Sequence, residues 1–195
     1  MESHVKIAGH PIHPMLIVLP LGMLAAAVIF DIVYLITGSA IFPTITFYDM
    51  AAGIIGGLLA AIFGFVDWLA LPAHTRAKTV GLTHGLGNVL LVALFVVSWL
   101  MRFNAVNYVP SSLALVFSFA GILLGLVTAW LGGEMVFRLR VAVDRGANLD
   151  APSSLGRAPA SSVNAGAAVV GRGSGDFRED TPTHEDDVPP PSHHM

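Results

Sequence analysis

Cysteine is absent from the 195 residues. That excludes disulfides, thiolate metal sites, cysteine-held iron–sulfur clusters and covalent attachment of haem through a Cys pair. Charge is scarce as well. Asp, Glu, Lys and Arg make up 12% of the chain, against about 25% in an ordinary soluble domain. Nine of those charged side chains fall in the first 137 residues, and 54% of the chain is hydrophobic. That part therefore reads as a membrane domain. No nucleophile elbow, phosphate loop or zinc-protease motif is present, so catalysis has little support. The net charge of −3 gives no sign of nucleic acid as a partner.

What the chain does have is long apolar runs, at about residues 14–37, 50–71, 80–101 and 112–136. Each covers the roughly 20 residues a helix needs to cross about 30 Å of hydrocarbon. The connections, "TGSAIFPT", "LPAHTRAKT" and "RFNAVNYVPSS", carry breaker chemistry. Ser111 after Pro110 reads as the N-cap of the fourth helix. Short connections predict an all-α fold, an up-and-down antiparallel four-helix transmembrane bundle over residues 1–140. The first run is expected to stay as a span, because Pro14, Pro20 and two His-Pro pairs make a poor signal-peptide start.

Basic residues set the expected orientation. Lys6, Arg76, Lys78, Arg138, Arg140 and Arg145 belong to the side that holds both termini, and only Arg102 to the other. The positive-inside rule then puts both termini in the cytoplasm of a bacterial inner membrane. Tyr48, Trp68, Tyr108 and Trp130 fall near run ends, as interfacial aromatics do. Small residues at four-residue spacing, Gly53–Gly57–Ala61, Gly81–Gly85 and Gly121–Gly125, predict close helix packing in lipid. Residues 141–195, rich in Pro, Ser, Gly and Ala and net acidic, read as a disordered cytoplasmic tail whose His184, His193 and His194 are solvated.

Threading the helices brings His10, His13, Asp67, His74, His84 and Glu134 to one end of the bundle; Asp31 and Asp49 go to the other. Ionisable groups at membrane depth usually face partners inside the bundle. Asp67 beside a histidine would relieve the cost of both. His84 lies in "VGLTHGLGN", where Gly81, Gly85 and Gly87 leave room for a flat macrocycle or a neighbouring helix, and Asn88 follows one turn later. His10 and His13 each precede a proline, which disfavours the α region for both. They are expected in an extended segment across the bundle mouth, with Pro14 as the first helical residue. Glu134 and Arg138 have the spacing of a helix-surface pair. His74, beside Arg76, reads as an ordinary loop residue.

"HPIHPMLIVLPLG", "FDIVY", "GFVDWLA" and "HGLGN" together resemble the bacterial membrane proteins grouped as domain of unknown function 2231, over about residues 8–140. The resemblance implies a four-helix membrane domain whose polar signature maps onto His10, His13, Asp31, Asp67, His84 and Asn88. Relatives joined to Rieske-type or cytochrome c domains imply a role near electron transfer; these 195 residues hold no domain of that kind.

Three functions are open on this reading. One is a redox-associated module holding b-type haem through His84 with His10 or His13, which suits imidazole ligation without cysteine. A second is a divalent metal site of His10, His13 and His84 with Asp67 or Glu134. The third is a structural or accessory protein, or a small proton-relay or transport unit using Asp31, embedded in the lipid bilayer as a homodimer or with an electron-transfer partner.

Overall fold

In the computed structural model the described residues are 2–3, 5–156 and 158–162. The chain opens with a small antiparallel hairpin, β1 (Lys6–Ile7) and β2 (His10–Pro11), in register Lys6 opposite Pro11 and Ile7 opposite His10. Its turn places Ala8 at φ 49° and Gly9 at φ 81°. Two left-handed residues in succession are what a two-residue type I′ turn requires, and glycine takes the second without strain.

Helices α1 (Ile12–Leu16) and α2 (Val18–Thr37) form one span, 12–37. The ladder is interrupted between them because Pro20 has no N–H to offer the Leu16 carbonyl. The Ile17 N–H still reaches the His13 carbonyl at 3.1 Å, and the Leu21 N–H that of Ile17. Gly38, at φ 67°, ends the span with its N–H on the Tyr34 carbonyl, a left-handed C-terminal cap.

The second span, α3 (Ile41–Leu69), starts at residue 41 rather than the expected 50. Pro43 was read as a breaker, but it sits in the first turn, where a missing N–H leaves no bond unmade. The third, α4 (Arg76–Arg102), starts at 76 rather than 80; Thr75 Oγ1 caps it by accepting the Lys78 N–H at 3.2 Å. After a 3-10 turn at Val106–Tyr108 comes α5 (Ser112–Gly133), where Ser111 Oγ accepts the Ala114 N–H as the sequence predicts. A π turn, Glu134–Arg138, prolongs this last span to Arg138.

The four spans pack antiparallel: α2 on α3, α3 on α4, α4 on α5, and α5 back on α2. Leu24, Ala27, Val28, Met50, Ile54 and Phe95 form the core, with Leu91, Val92, Val96, Trp99, Phe119 and Ile122 packed on it. Apolar side chains such as Ile29, Ile55, Ile62, Leu86, Val89 and Leu126 are exposed around the outside, as a lipid-facing surface must be.

Small residues let the backbones approach. A Cβ on Gly53 would stand 2.6 Å from Leu24, and one on Gly121 2.7 Å from Phe95. Two members of the expected small-residue faces lie elsewhere: Ala61 is exposed, and Gly85 has nothing near it. Both are on the outer side of their helices, where a four-residue repeat carries no packing information.

After the last span, residues 139–156 and 158–162 leave the helix and take hydrogen-bonded turns. The Val141 N–H bonds the Met135 carbonyl, Ala147 that of Asp144, and Asn148 Nδ2 that of Ala160. These turns touch the opening segment, with the Arg145 N–H on Glu2 Oε1 and Ser154 Oγ 3.3 Å from His10 Nε2. The rest of the expected tail, including His184, His193 and His194, lies outside the described residues.

Candidate functional site

At the end of the bundle that carries the hairpin, α1 delivers His13 to the surface of α3. The His13 Nδ1–H donates to the Ala60 carbonyl at 2.8 Å. A carbonyl only accepts, so this bond places the proton on Nδ1 and leaves Nε2 with its lone pair. The ring lies against Gly64, where a Cβ would come within 2.7 Å of His13 Cε1. Among the described residues His13 Nε2 has no hydrogen-bond partner.

The expected extended conformation holds for His10 but not for His13, which is helical within α1. The residue before a proline is disfavoured in the helix, not barred from it. Pro14 falls in the first turn of α1, where the chain needs no N–H from it.

His84 repeats the arrangement on the other side. Its Nδ1–H donates to the Thr128 carbonyl of α5 at 2.9 Å, so Nε2 again carries the lone pair. Asn88, one turn on, sets Nδ2 3.2 Å from that Nε2 and 2.8 Å from the His84 carbonyl. The glycines flanking His84 in sequence do not make its berth. Gly81 accommodates Trp68 and Met135, Gly87 takes the Thr128 methyl, and Gly85 is open. The residue that accommodates the ring is Gly132 of α5, where a Cβ would lie 3.2 Å from His84 Cε1.

The remaining candidates at this end go to other partners. His10 is exposed on the hairpin. Asp67 accepts the Ser3 hydroxyl at 2.6 Å, where a histidine was expected. It leaves α3 two residues before the helix ends, and the opening segment covers it there. Glu134 pairs with Arg76 at 2.6 Å, not with Arg138. The π turn beginning at Glu134 changes the helical spacing on which that expectation rested. His74 sits exposed in the α3–α4 connection at φ 61°. Among the described residues no three His, Cys, Asp or Glu side chains converge to hold a metal ion.

Glu2 anchors the opening segment. The Lys6 ammonium, hydrogen-bonded to it at 2.8 Å, and the Arg145 N–H hold its carboxyl below the usual carboxylate range.

The opposite end holds two residues that the sequence singled out separately and did not join. Asp31 of α2 is not a lone carboxylate. Arg102, the last residue of α4, grips it through both terminal nitrogens at 2.6 and 2.7 Å, and both side chains are 0% exposed. Ser118 of α5 donates to Asp31 Oδ2 at 3.3 Å, and Ser98 Oγ lies 3.3 Å from Arg102 Nη2. Arg102 Nε has no partner among the described residues. The clue in the sequence was the match of depth: the only acid inside the first helix and the only base on that side of the bundle. The same end carries stacked rings, with Phe47 4.0 Å from Tyr108 and 5.0 Å from Trp99 between centroids.

No curated protein and no solved structure matches the chain. A family described as "Predicted membrane protein (DUF2231)" matches residues 9–145, from the glycine of the hairpin turn to just beyond the last span. With four packed spans and the histidine and aspartate pattern inside that range, the chain belongs to this family of membrane proteins of unknown function.

Proposed function

We propose that this chain is a redox-associated module of the bacterial cytoplasmic membrane that offers His13 and His84 as imidazole ligands at its cytoplasmic end. The observation that carries the reading is the common anchoring of both rings, each with Nδ1–H on a main-chain carbonyl of another helix. That anchoring fixes the tautomer and leaves Nε2 for a metal, as the outer hydrogen bond of a ligating histidine does. His13 and His84 would be the residues that hold a b-type haem, which needs no cysteine for its attachment. A bare Zn²⁺ or Fe²⁺ site needs more donors than the described residues bring together. The haem would supply one-electron chemistry; this chain's residues would hold and orient it.

The cytoplasmic placement of both termini rests on charge. The six bases at the hairpin end stand against Arg102, whose charge is balanced by Asp31. An absorption spectrum of detergent-purified protein is the test. A Soret band lost in His13→Ala and His84→Ala supports the reading, and a colourless preparation from haem-replete cells defeats it. Elemental analysis of the same sample detects a bare metal.

A second reading, a cofactor-free accessory protein, draws on the Asn88 amide at His84 Nε2. It also draws on the Asp31–Arg102 pair, which commits the acid otherwise suited to proton relay.

A further inference from the structure

Both ring nitrogens of His84 are occupied, and the two occupants differ in kind. Thr128 contributes a main-chain carbonyl fixed in α5, whereas Asn88 contributes a side-chain amide that rotates about its own bonds. The amide has two N–H groups. One is directed at His84 Nε2, 3.2 Å from Asn88 Nδ2, and the other at the His84 carbonyl, 2.8 Å away. A group donating to Nε2 fits only an imidazole whose lone pair is there, which is the tautomer the Thr128 bond also demands. It also stands where a metal would bind. His13 Nε2, by contrast, has no hydrogen-bond partner among the described residues.

We propose that Asn88 is a removable cap on His84. It holds the ring in the Nδ1–H tautomer, occupies the Nε2 ligand position, and withdraws when a metal centre binds there. The two histidines are then unequal: Nε2 of His13 would be available to hold a metal as it stands, whereas Nε2 of His84 would be available only with the amide displaced. This rests on the ligand reading above, and it makes Asn88 a positioning residue rather than a ligand.

The test uses full-length protein in detergent with ¹⁵N-labelled histidine, comparing wild type, Asn88→Ala and His84→Ala. In wild type, His84 Nε2 should give the resonance of an unprotonated, hydrogen-bonded nitrogen, and Asn88→Ala should shift it to that of an unbonded one while Nδ1 stays protonated. An unchanged Nε2 resonance, or an Nε2–H tautomer in wild type, overturns the cap. Asn88→Ser, which retains a short donor, separates loss of the bond from loss of fold.

Haemin titration of the same samples gives the second readout. Loss of one neutral hydrogen bond at the ligand position should tighten binding by roughly two- to tenfold in Asn88→Ala, and the gain should vanish when His84→Ala is added. Equal affinity in wild type and Asn88→Ala overturns the withdrawal. If neither binds haemin but the nitrogen shift occurs, the haem reading falls and the cap on His84 stands.

Discussion

Asp31 and Arg102 show how far one pair of residues can dominate a small bundle. Each is fully buried, and they join α2 to α4 while Ser118 of α5 bonds the same carboxylate. Removing one partner of such a pair leaves an uncompensated charge, a cost of about 3–5 kcal/mol, whereas replacing both with apolar residues is often neutral. Asp31→Asn should therefore destabilise the bundle strongly, and Asp31→Leu combined with Arg102→Met should recover most of the loss. Thermal unfolding in detergent measures both; a mild Asp31→Asn effect would show that the pair contributes little.

Glu2 gives a residue-scale prediction with a pH sign. Its carboxyl is depressed below its ordinary value of 4.5, first by the hydrogen bond from Lys6. A depressed acid lends its stabilisation above the unfolded value and loses it as pH falls through the folded one. Amide exchange in residues 2–11 should thus quicken as pH drops below about 4.5, beyond the intrinsic rate change, and Glu2→Gln should remove that excess. Equal protection in the two proteins across this range would contradict the assignment.

At the scale of helices, glycine position decides what each face can accept. Gly64 supports the His13 ring, so Gly64→Ala puts a Cβ 2.7 Å from Cε1 and displaces it. Overpacking of this kind costs typically about 1–3 kcal/mol. Gly85 has no neighbour, and Gly85→Ala should instead stabilise α4 by roughly 0.5–1 kcal/mol through helix propensity. Opposite shifts in Tm are expected. The two glycines look alike in sequence, and four-residue spacing favoured Gly85. The rotation of each helix about its axis separates them, and a span that is apolar on all sides has no polar stripe to reveal that rotation. Helix starts were misread for a simpler reason: Pro43 marks a break only if it is not already in a first turn.

For the whole molecule, the charge distribution predicts that reporter fusions to either terminus report a cytoplasmic location, while one after Asn104 in the α4–α5 connection reports the opposite side. A reversed pattern would overturn the orientation and place the histidine pair outside.

The run lengths by themselves determined four spans, because crossing hydrocarbon imposes a minimum apolar length. An even number of antiparallel spans then put His13 and His84 at one end and Asp31 and Arg102 at the other. Partnership was decided only by tertiary structure. Asp67 met Ser3, Glu134 met Arg76, His84 met Thr128 and Asn88, and Asp31 met Arg102. Depth in the membrane follows from position along the chain. Which neighbour a side chain meets at that depth depends on how four nearly featureless apolar cylinders are turned against one another, and packing sets that.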